Sequence, residues 1–377
     1  MSHQLLCCGN ANDLAAWSNI PYFLLQAGRQ QGLLTSGVTL DPQRLRWQRR
    51  LWNLQQWLKT GRPGGFQYSN NFLSRLWNQA ALEPCFPEQP RRLLSHYPHL
   101  PPAPWPDHWQ ISFYIDATTK QVFKDYGAGM RIDPVFQQAV IQRETASFHA
   151  AKAVITMSEW AAASVCQDYG VPKNRVHVVP GGANLDETAL ALVPPTPCPQ
   201  RPLPQHPLRL GFLGKEWERK GGPFVLAIAE ALQRVGVPAE VRAIGPEAKA
   251  LPSHPLLQPL GFINKRTQMA EFVSEVRSWH FGTLFSSSEA FGISNRECLR
   301  LGVPVLTHAV GGIPSTLHGH GCGQLFSAHP SPETVACWLH ERLSPYSAYQ
   351  DLRRELQQRA VEFSWGMAVG KLKEILE

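Results

Sequence analysis

Two glutamates and three cations carry the chemistry that this sequence can do. Glu289 and Glu297 stand in FSSSEAFGISNRECLRLGVP (285–304), where a polar turn after the apolar strand HFGTLF leads into Ile293, Leu299 and Leu301 at helical spacing, ended by Gly302 and Pro304. On a helix opened by Glu289, Glu297 lies about two turns further along and near the same face. One carboxylate can then hold a sugar hydroxyl and the other a ribose diol; taken alone, the pair reads as two solvated helix glutamates. The turn at Phe291, Gly292 and Ile293 can offer backbone N–H groups at a helix N-terminus, where the dipole favours a phosphate by about 0.3–1 kcal/mol. Earlier, LRLGFLGKEWERKGG gives a strand from Leu208 to Leu213, a turn at Gly214, and Lys215, Arg219 and Lys220 ahead of a helix beginning near Gly222. Charge-assisted hydrogen bonds of about 1.5–3 kcal/mol each from such cations suit a diphosphate leaving group. A solvated charge run is the other reading of the cluster.

In this order the two stretches resemble glycosyltransferase family 4, the group 1 retaining glycosyltransferases. The resemblance implies an α/β architecture, the GT-B fold, with two Rossmann-like doubly wound domains facing each other across a cleft. It implies that Lys215 and Lys220 hold the donor diphosphate. Lys215 stands where arginine is commoner, which leaves Arg219 as a substitute. Glu289 and Glu297 match the family's paired glutamates, and VPVLTHAVGGIPSTL, with Gly311, Gly312 and Pro314, resembles the strand and turn that follow. The nucleotide base is implied near 261–265, with Phe262 stacking or Ile263 offering its backbone; Phe262 fits a core position as well. The resemblance extends from about residue 150 to 377. It implies an anomer-retaining transferase whose co-substrate is a nucleoside-diphosphate sugar, with the departing diphosphate taking the acceptor proton.

Around these stretches the elements read as strand and helix in alternation, which implies parallel sheets with crossover helices. HQLLCCG reads as a first strand ending at Gly9, a residue placed either to approach a ligand or simply to turn the chain. WQISFYIDATT gives a strand ending at Asp116, where many members of the family carry a histidine near the reacting sugar. Asp116 is therefore a candidate for acceptor contact, or else a cap for the next segment. A proline-rich stretch, 191–207, reads as the linker between a first domain (1–190) and a nucleotide-sugar-binding domain (208–360), and 361–377 resembles the family's terminal helix, which crosses back to the first domain with Phe363 and Trp365 as anchor.

Residues 42–59 place Trp47, Leu51, Leu54 and Leu58 on one helix face with Arg44, Arg46, Arg49, Arg50 and Lys59 around it. Such a stripe packs on a core, or lies on an anionic membrane surface. Arginine–aromatic interleaving also suits single strands of nucleic acid, but no accompanying motif is present and no nucleic acid is expected. The 377 residues carry a formal net charge of +7, 43% hydrophobic and 17% charged residues, which fits a globular chain with anionic partners. Scattered cysteines and the absence of a signal-like N-terminus or a long apolar run predict a reduced, cytoplasmic protein, at most peripheral to the inner face of a membrane. His318, His320 and Cys322 lie too close together for a good metal cage, and no D-x-D motif stands at a strand end, so no metal and no cofactor are expected. A nucleotide-sugar epimerase, and a non-catalytic nucleotide-sugar or membrane-binding protein, remain compatible with the same residues.

Overall fold

Short apolar runs bounded by glycine, proline and polar turns, each followed by an amphipathic stretch, fold as parallel strands with crossover helices in the computed structural model. The structure describes residues 2–14, 17–40, 45–81, 91–99, 105, 107–194, 196–317, 319 and 321–377. The chain divides into two units, Met1–Pro180 with Ala368–Glu377, and Gly181–Met367. The proline-rich stretch 191–207 thus lies within the second unit, where Gln200 O pairs with the buried His280 Nε2 at 2.9 Å.

In the first unit the strands are β1 (His3–Cys8), β2 (Leu34–Leu40), β3 (Arg91–Ser95), β4 (Trp109–Ile115), β5 (Val154–Thr156) and β6 (Val176–Val178), all parallel in the order β2-β1-β3-β4-β5-β6. Its helices are α1 (Ile20–Gln30), α2 (Arg46–Thr60), α3 (Asn70–Ala81), α4 (Thr119–Asp125), α5 (Pro134–Ala150) and α6 (Glu159–Gln167). Ile111, Phe113 and Ile115 of β4 bury one sheet face against Phe148, Val154 and Val165. Asp133 caps α5 and Ser158 caps α6, each accepting from backbone N–H groups of the first turn.

The second unit continues with α7 (Glu187–Ala191), then β7 (Leu208–Leu213), α8 (Gly222–Arg234), β8 (Ala239–Ile244), β9 (Leu257–Gly261), α9 (Met269–Arg277), β10 (Phe281–Leu284), α10 (Ile293–Arg300), β11 (Val305–His308), β12 (Gly323–Phe326), α11 (Pro332–Arg342) and α12 (Tyr346–Arg359). Its sheet is again parallel, in the order β12-β11-β10-β7-β8-β9. The last helix, α13 (Trp365–Leu376), begins in this unit, where the buried Trp365 donates from Nε1 to Asn184 Oδ1 at 2.9 Å beside the buried Phe363.

Strand order locates the ligand crevice of each sheet. In the second unit the chain runs from β7 through β8 to β9 on one side, then returns to lay β10 on the other side of β7. In the first it runs from β1 to β2, then returns with β3 beside β1. At such reversals the loops after the strands diverge, leaving a crevice at the carboxyl ends of β7 and β10 and of β1 and β3.

Behind the first sheet, Glu144 of α5 accepts from Thr119 N at 3.2 and 3.1 Å and from Tyr169 Oη at 2.5 Å, fixing the start of α4. Burial pushes its carboxyl up from 4.5 to about 7, against the lowering effect of those bonds. Between pH 4.5 and 7 the folded chain keeps a proton that the unfolded chain has released, so this group makes stability fall as pH rises through that window. Glu144→Gln keeps an acceptor oxygen and removes the titration. The variant's Tm relative to wild type is expected to rise between pH 5 and pH 8; a difference independent of pH would refute the assignment.

Candidate active site

The loop after β7 and the loop after β10 meet at the reversal of the second sheet. Lys220 Nζ lies 3.0 Å from Glu289 Oε2, and Arg219 NH1 lies 3.7 Å from the same oxygen. Ser286 Oγ donates to Glu289 Oε2 at 3.1 Å, while Gly312 N donates to the backbone carbonyl of Glu289 at 2.9 Å, so the residue is held through both its side chain and its backbone. The loops are also tied directly: Ser287 N donates to Arg219 O at 2.9 Å, and Arg219 NH1 to Ser288 O at 2.8 Å. Gly214 makes room for this arrangement, because a Cβ there would stand 2.3 Å from Lys220 Cδ. Trp217, buried against Phe212, pins the turn between them.

The helix begins later than its sequence suggests. Gly292 has φ +99°, outside the right-handed helical region, and α10 opens at Ile293. Glu289 therefore belongs to the turn, and it shares no helix face with Glu297. Phe291 turns its ring into the core, leaving its backbone, with those of Gly292 and Ile293, at the N-terminus, where the first N–H groups have no carbonyl within the helix.

Glu297 is 3% exposed and pairs with Lys265 Nζ, whose ammonium also lies 4.7 Å from the centre of the Phe272 ring. Burial raises its carboxyl above the usual range, while Lys265 and, more weakly, Lys220 pull it down. That influence places Lys220 within electrostatic reach of both glutamates. The neighbouring Arg296, equally buried, donates to Gly181 O at 2.8 Å, Thr316 O at 3.2 Å and Glu362 O at 3.3 Å, and its guanidinium covers the Phe363 ring at 4.7 Å. These bonds fix the rotation of α10.

Lys215 is not drawn to Glu289. Its Nζ stands 5.5 Å over the ring of Phe262, which is 65% exposed, and the two line a pocket of about 350 Å³ with Gly245, Glu247 and Ala250. Ile263 buries its side chain in the core with Met269 and Phe272, so only its backbone can serve a ligand. Arg219, besides its contact with Glu289, is bound from Nε to Glu216 Oε2 at 2.9 Å.

In the first unit Gly9 (φ +91°) follows β1 and Asp116 follows β4, with His96 between them after β3. Asp116 does not cap the next helix, since Thr118 does so in a capping box with Gln121. It instead favours the charged form of His96, whose buried ring is otherwise pushed towards neutrality and whose Nδ1 pairs with Tyr114 O at 2.7 Å. Sequence reasoning passed over His96, Ser286, Glu216 as the partner of Arg219, and Lys265 as the partner of Glu297. Only the i, i+3 spacing of Glu216 and Arg219 could have signalled one of them. Groups of His, Cys, Asp and Glu able to hold a metal ion are absent among the described residues; His318 and His320 lie outside them.

Two six-stranded parallel sheets, each with crossover helices and a crevice at its point of reversal, define the GT-B fold. Residues 40–187 match the family model described as Glycosyltransferase Family 4. Among solved structures, sucrose-phosphate synthase from Thermosynechococcus elongatus superposes with a TM-score of 0.67 at 15% identity, covering 99% of this chain and 98% of that one. WaaG, a glycosyltransferase involved in lipopolysaccharide biosynthesis, gives 0.62 at 14% identity over 100% and 99%. Anabaena HepE, solved in complex with UDP and glucose, gives 0.61 at 10% identity over 99% of each chain. No curated protein matches the sequence.

The pairing of Glu297 with Lys265 sets a stability test. Lys265→Met leaves a buried carboxylate with only the more distant Lys220, and such an uncompensated charge costs about 3–5 kcal/mol. Urea denaturation at pH 8 should show a loss of that order, shrinking at pH 5 as the already raised Glu297 carboxyl takes up a proton; Lys265→Arg should restore most of it. An unchanged midpoint for Lys265→Met at pH 8 would show that the pair does not hold the carboxylate.

Proposed function

We propose that the chain is an anomer-retaining, metal-independent glycosyltransferase that moves a sugar from a nucleoside-diphosphate sugar to an acceptor hydroxyl. The observation that carries the reading is the convergence of Lys220, Arg219 and Glu289 within 4 Å beside the N-terminus of α10, at the reversal of the second sheet. Two cations and a helix N-terminus are suited to the charge that develops on a departing diphosphate, and donors fixed in advance of the reaction are usually the largest catalytic contribution. Glu289 engages sugar hydroxyls and Glu297 the ribose diol. The Lys215–Phe262 pocket supports placing the nucleotide base at that end. The bond from the anomeric carbon to the diphosphate oxygen breaks, the acceptor oxygen bonds to that carbon on the same face, and the acceptor proton passes to the departing phosphate oxygen. Gly9 and Asp116, at the crevice of the first sheet, are the candidates for acceptor contact.

Two of the proposed cations already have a carboxylate, Lys220 with Glu289 and Arg219 with Glu216, while Lys215 faces the Phe262 ring. Donor binding at Lys220 and Arg219 is therefore an exchange of anions.

The first experiment is a thermal-shift panel of UDP, GDP, ADP and TDP and their sugars without added metal; UDP leads because HepE was solved with it. A ligand present at about 100 times its Kd stabilises the native state by about 2.7 kcal/mol. One nucleotide is expected to stand out, and turnover of its sugar with an acceptor is expected to survive EDTA. Lys220→Ala should lower kcat/KM by about 100-fold or more with little change in Tm. Activity within about threefold of wild type would overturn the reading.

A further inference from the structure

Helix α2 is turned inside out relative to the ordinary surface helix. Its inward side is held by a single aromatic, Trp52, which packs against Phe66 and Phe136 and donates from Nε1 to Gly64 O at 3.3 Å. None of the residues of α2 is buried. Trp47, Leu51, Leu54, Trp57 and Leu58 are between 53% and 71% exposed, and four of them, Trp47, Leu51, Leu54 and Leu58, recur at the spacing of one helix face. Scattered exposed apolar residues need no explanation, but a contiguous stripe with this much open area marks a docking surface.

The charge around the stripe selects the occupant. Residues 42–82 contain Arg44, Arg46, Arg49, Arg50, Lys59, Arg62 and Arg75 and no Asp or Glu. Arg46, Arg49, Lys59 and Arg62 are exposed, and the guanidinium of Arg50 lies 4.6 Å over the Trp47 ring, so cation and indole form one amphipathic edge. A second copy of the chain would bring the same cations against themselves. Nucleic acid would satisfy the cations and leave the leucines in water. An anionic bilayer meets both demands, with lipid phosphates for the arginines and the acyl boundary for Leu51, Leu54 and Leu58. At 15 residues, α2 is about 22 Å long, too short to span a hydrocarbon core of about 30 Å but suited to lying in its surface.

We propose that α2 docks the protein flat on an anionic lipid surface, with the Trp47–Leu51–Leu54–Leu58 face down. The inference rests on α2 alone and is independent of the donor-site reading. The test uses the full chain with extruded phosphatidylcholine vesicles, with and without phosphatidylglycerol, in co-sedimentation at increasing salt. Binding is expected to the anionic vesicles, to fall with salt, and to be weak on phosphatidylcholine alone. Two double variants, Leu54→Ser with Leu58→Ser and Arg49→Glu with Arg50→Glu, should each lower the partition coefficient by about tenfold or more. Because the four side chains are exposed, thermal melting should be unchanged in both. The proposal is overturned if the wild type ignores both vesicles, binds both equally, or binds as before in either variant. It is likewise overturned if the leucine variant abolishes a dimer, or the arginine variant an affinity for RNA, in a wild type that does not bind vesicles.

Discussion

A polar helix buried at a ligand crevice must have every charge answered. Helix α10 has the sequence ISNRECLR, and Ser294 through Leu299 are all buried. Water cannot compensate them, so its guanidinium is met by three backbone carbonyls and its carboxylate by a lysine from another loop. The cluster of Lys220, Arg219 and Glu289 beside the helix N-terminus depends on that compensation. With Arg296 and Glu297 fixed, the N-terminus of α10 has one direction, and the turn carrying Glu289 follows from Gly292. A hydrophobic helix would satisfy burial more easily, but it would leave no carboxylate at the crevice.

The same logic explains how neighbouring charges divide their roles. Lys220 lies across Gly214 towards Glu289, while Lys215, on the same loop, is exposed and faces Phe262. Between them in the sequence, Trp217 is buried against Phe212 and anchors the loop. In the first unit Asp116 and His96 show a comparable division. The strand ends present one acid and one imidazole at adjacent positions, the imidazole pushed towards neutrality by burial and pulled back by the acid.

Much of this was legible in the sequence, and the parts that were not have a common cause. The alternation from Leu208 to His308 is carried by local patterns, and the structure follows it closely: β7 and β8 fall where apolar runs meet glycine, and α8 starts at Gly222. The association of Lys220 and Glu289 was implied by the family resemblance of their two stretches, with Arg219 only as a substitute for Lys215, rather than by any local pattern. What local pattern could not give was long-range partnership. Lys265 and Glu297 are 32 residues apart, and nothing at either position announces the other. Periodicity also misplaced Glu289 on the helix, because the spacing that suits a helix says little about which glycine interrupts it. In α2 the stripe was visible, yet its direction was not: a period of 3.6 gives an apolar face without saying whether protein or solvent lies on that side.

The ends of the second unit lie side by side. Ala183 N donates to Phe363 O at 2.8 Å, and a Cβ on Gly182 would collide with Trp365 N at 2.1 Å, so the strand of chain that enters and the one that leaves are stapled together. Because the first unit comprises Met1–Pro180 and Ala368–Glu377, the second is organised as an insertion within it, a cassette with adjoining termini. Modules of that form are the ones that tolerate excision, transplantation and circular permutation. Gly181–Met367 is in this sense a portable piece of protein, carrying its sheet, its buried charges and its clustered cations with it.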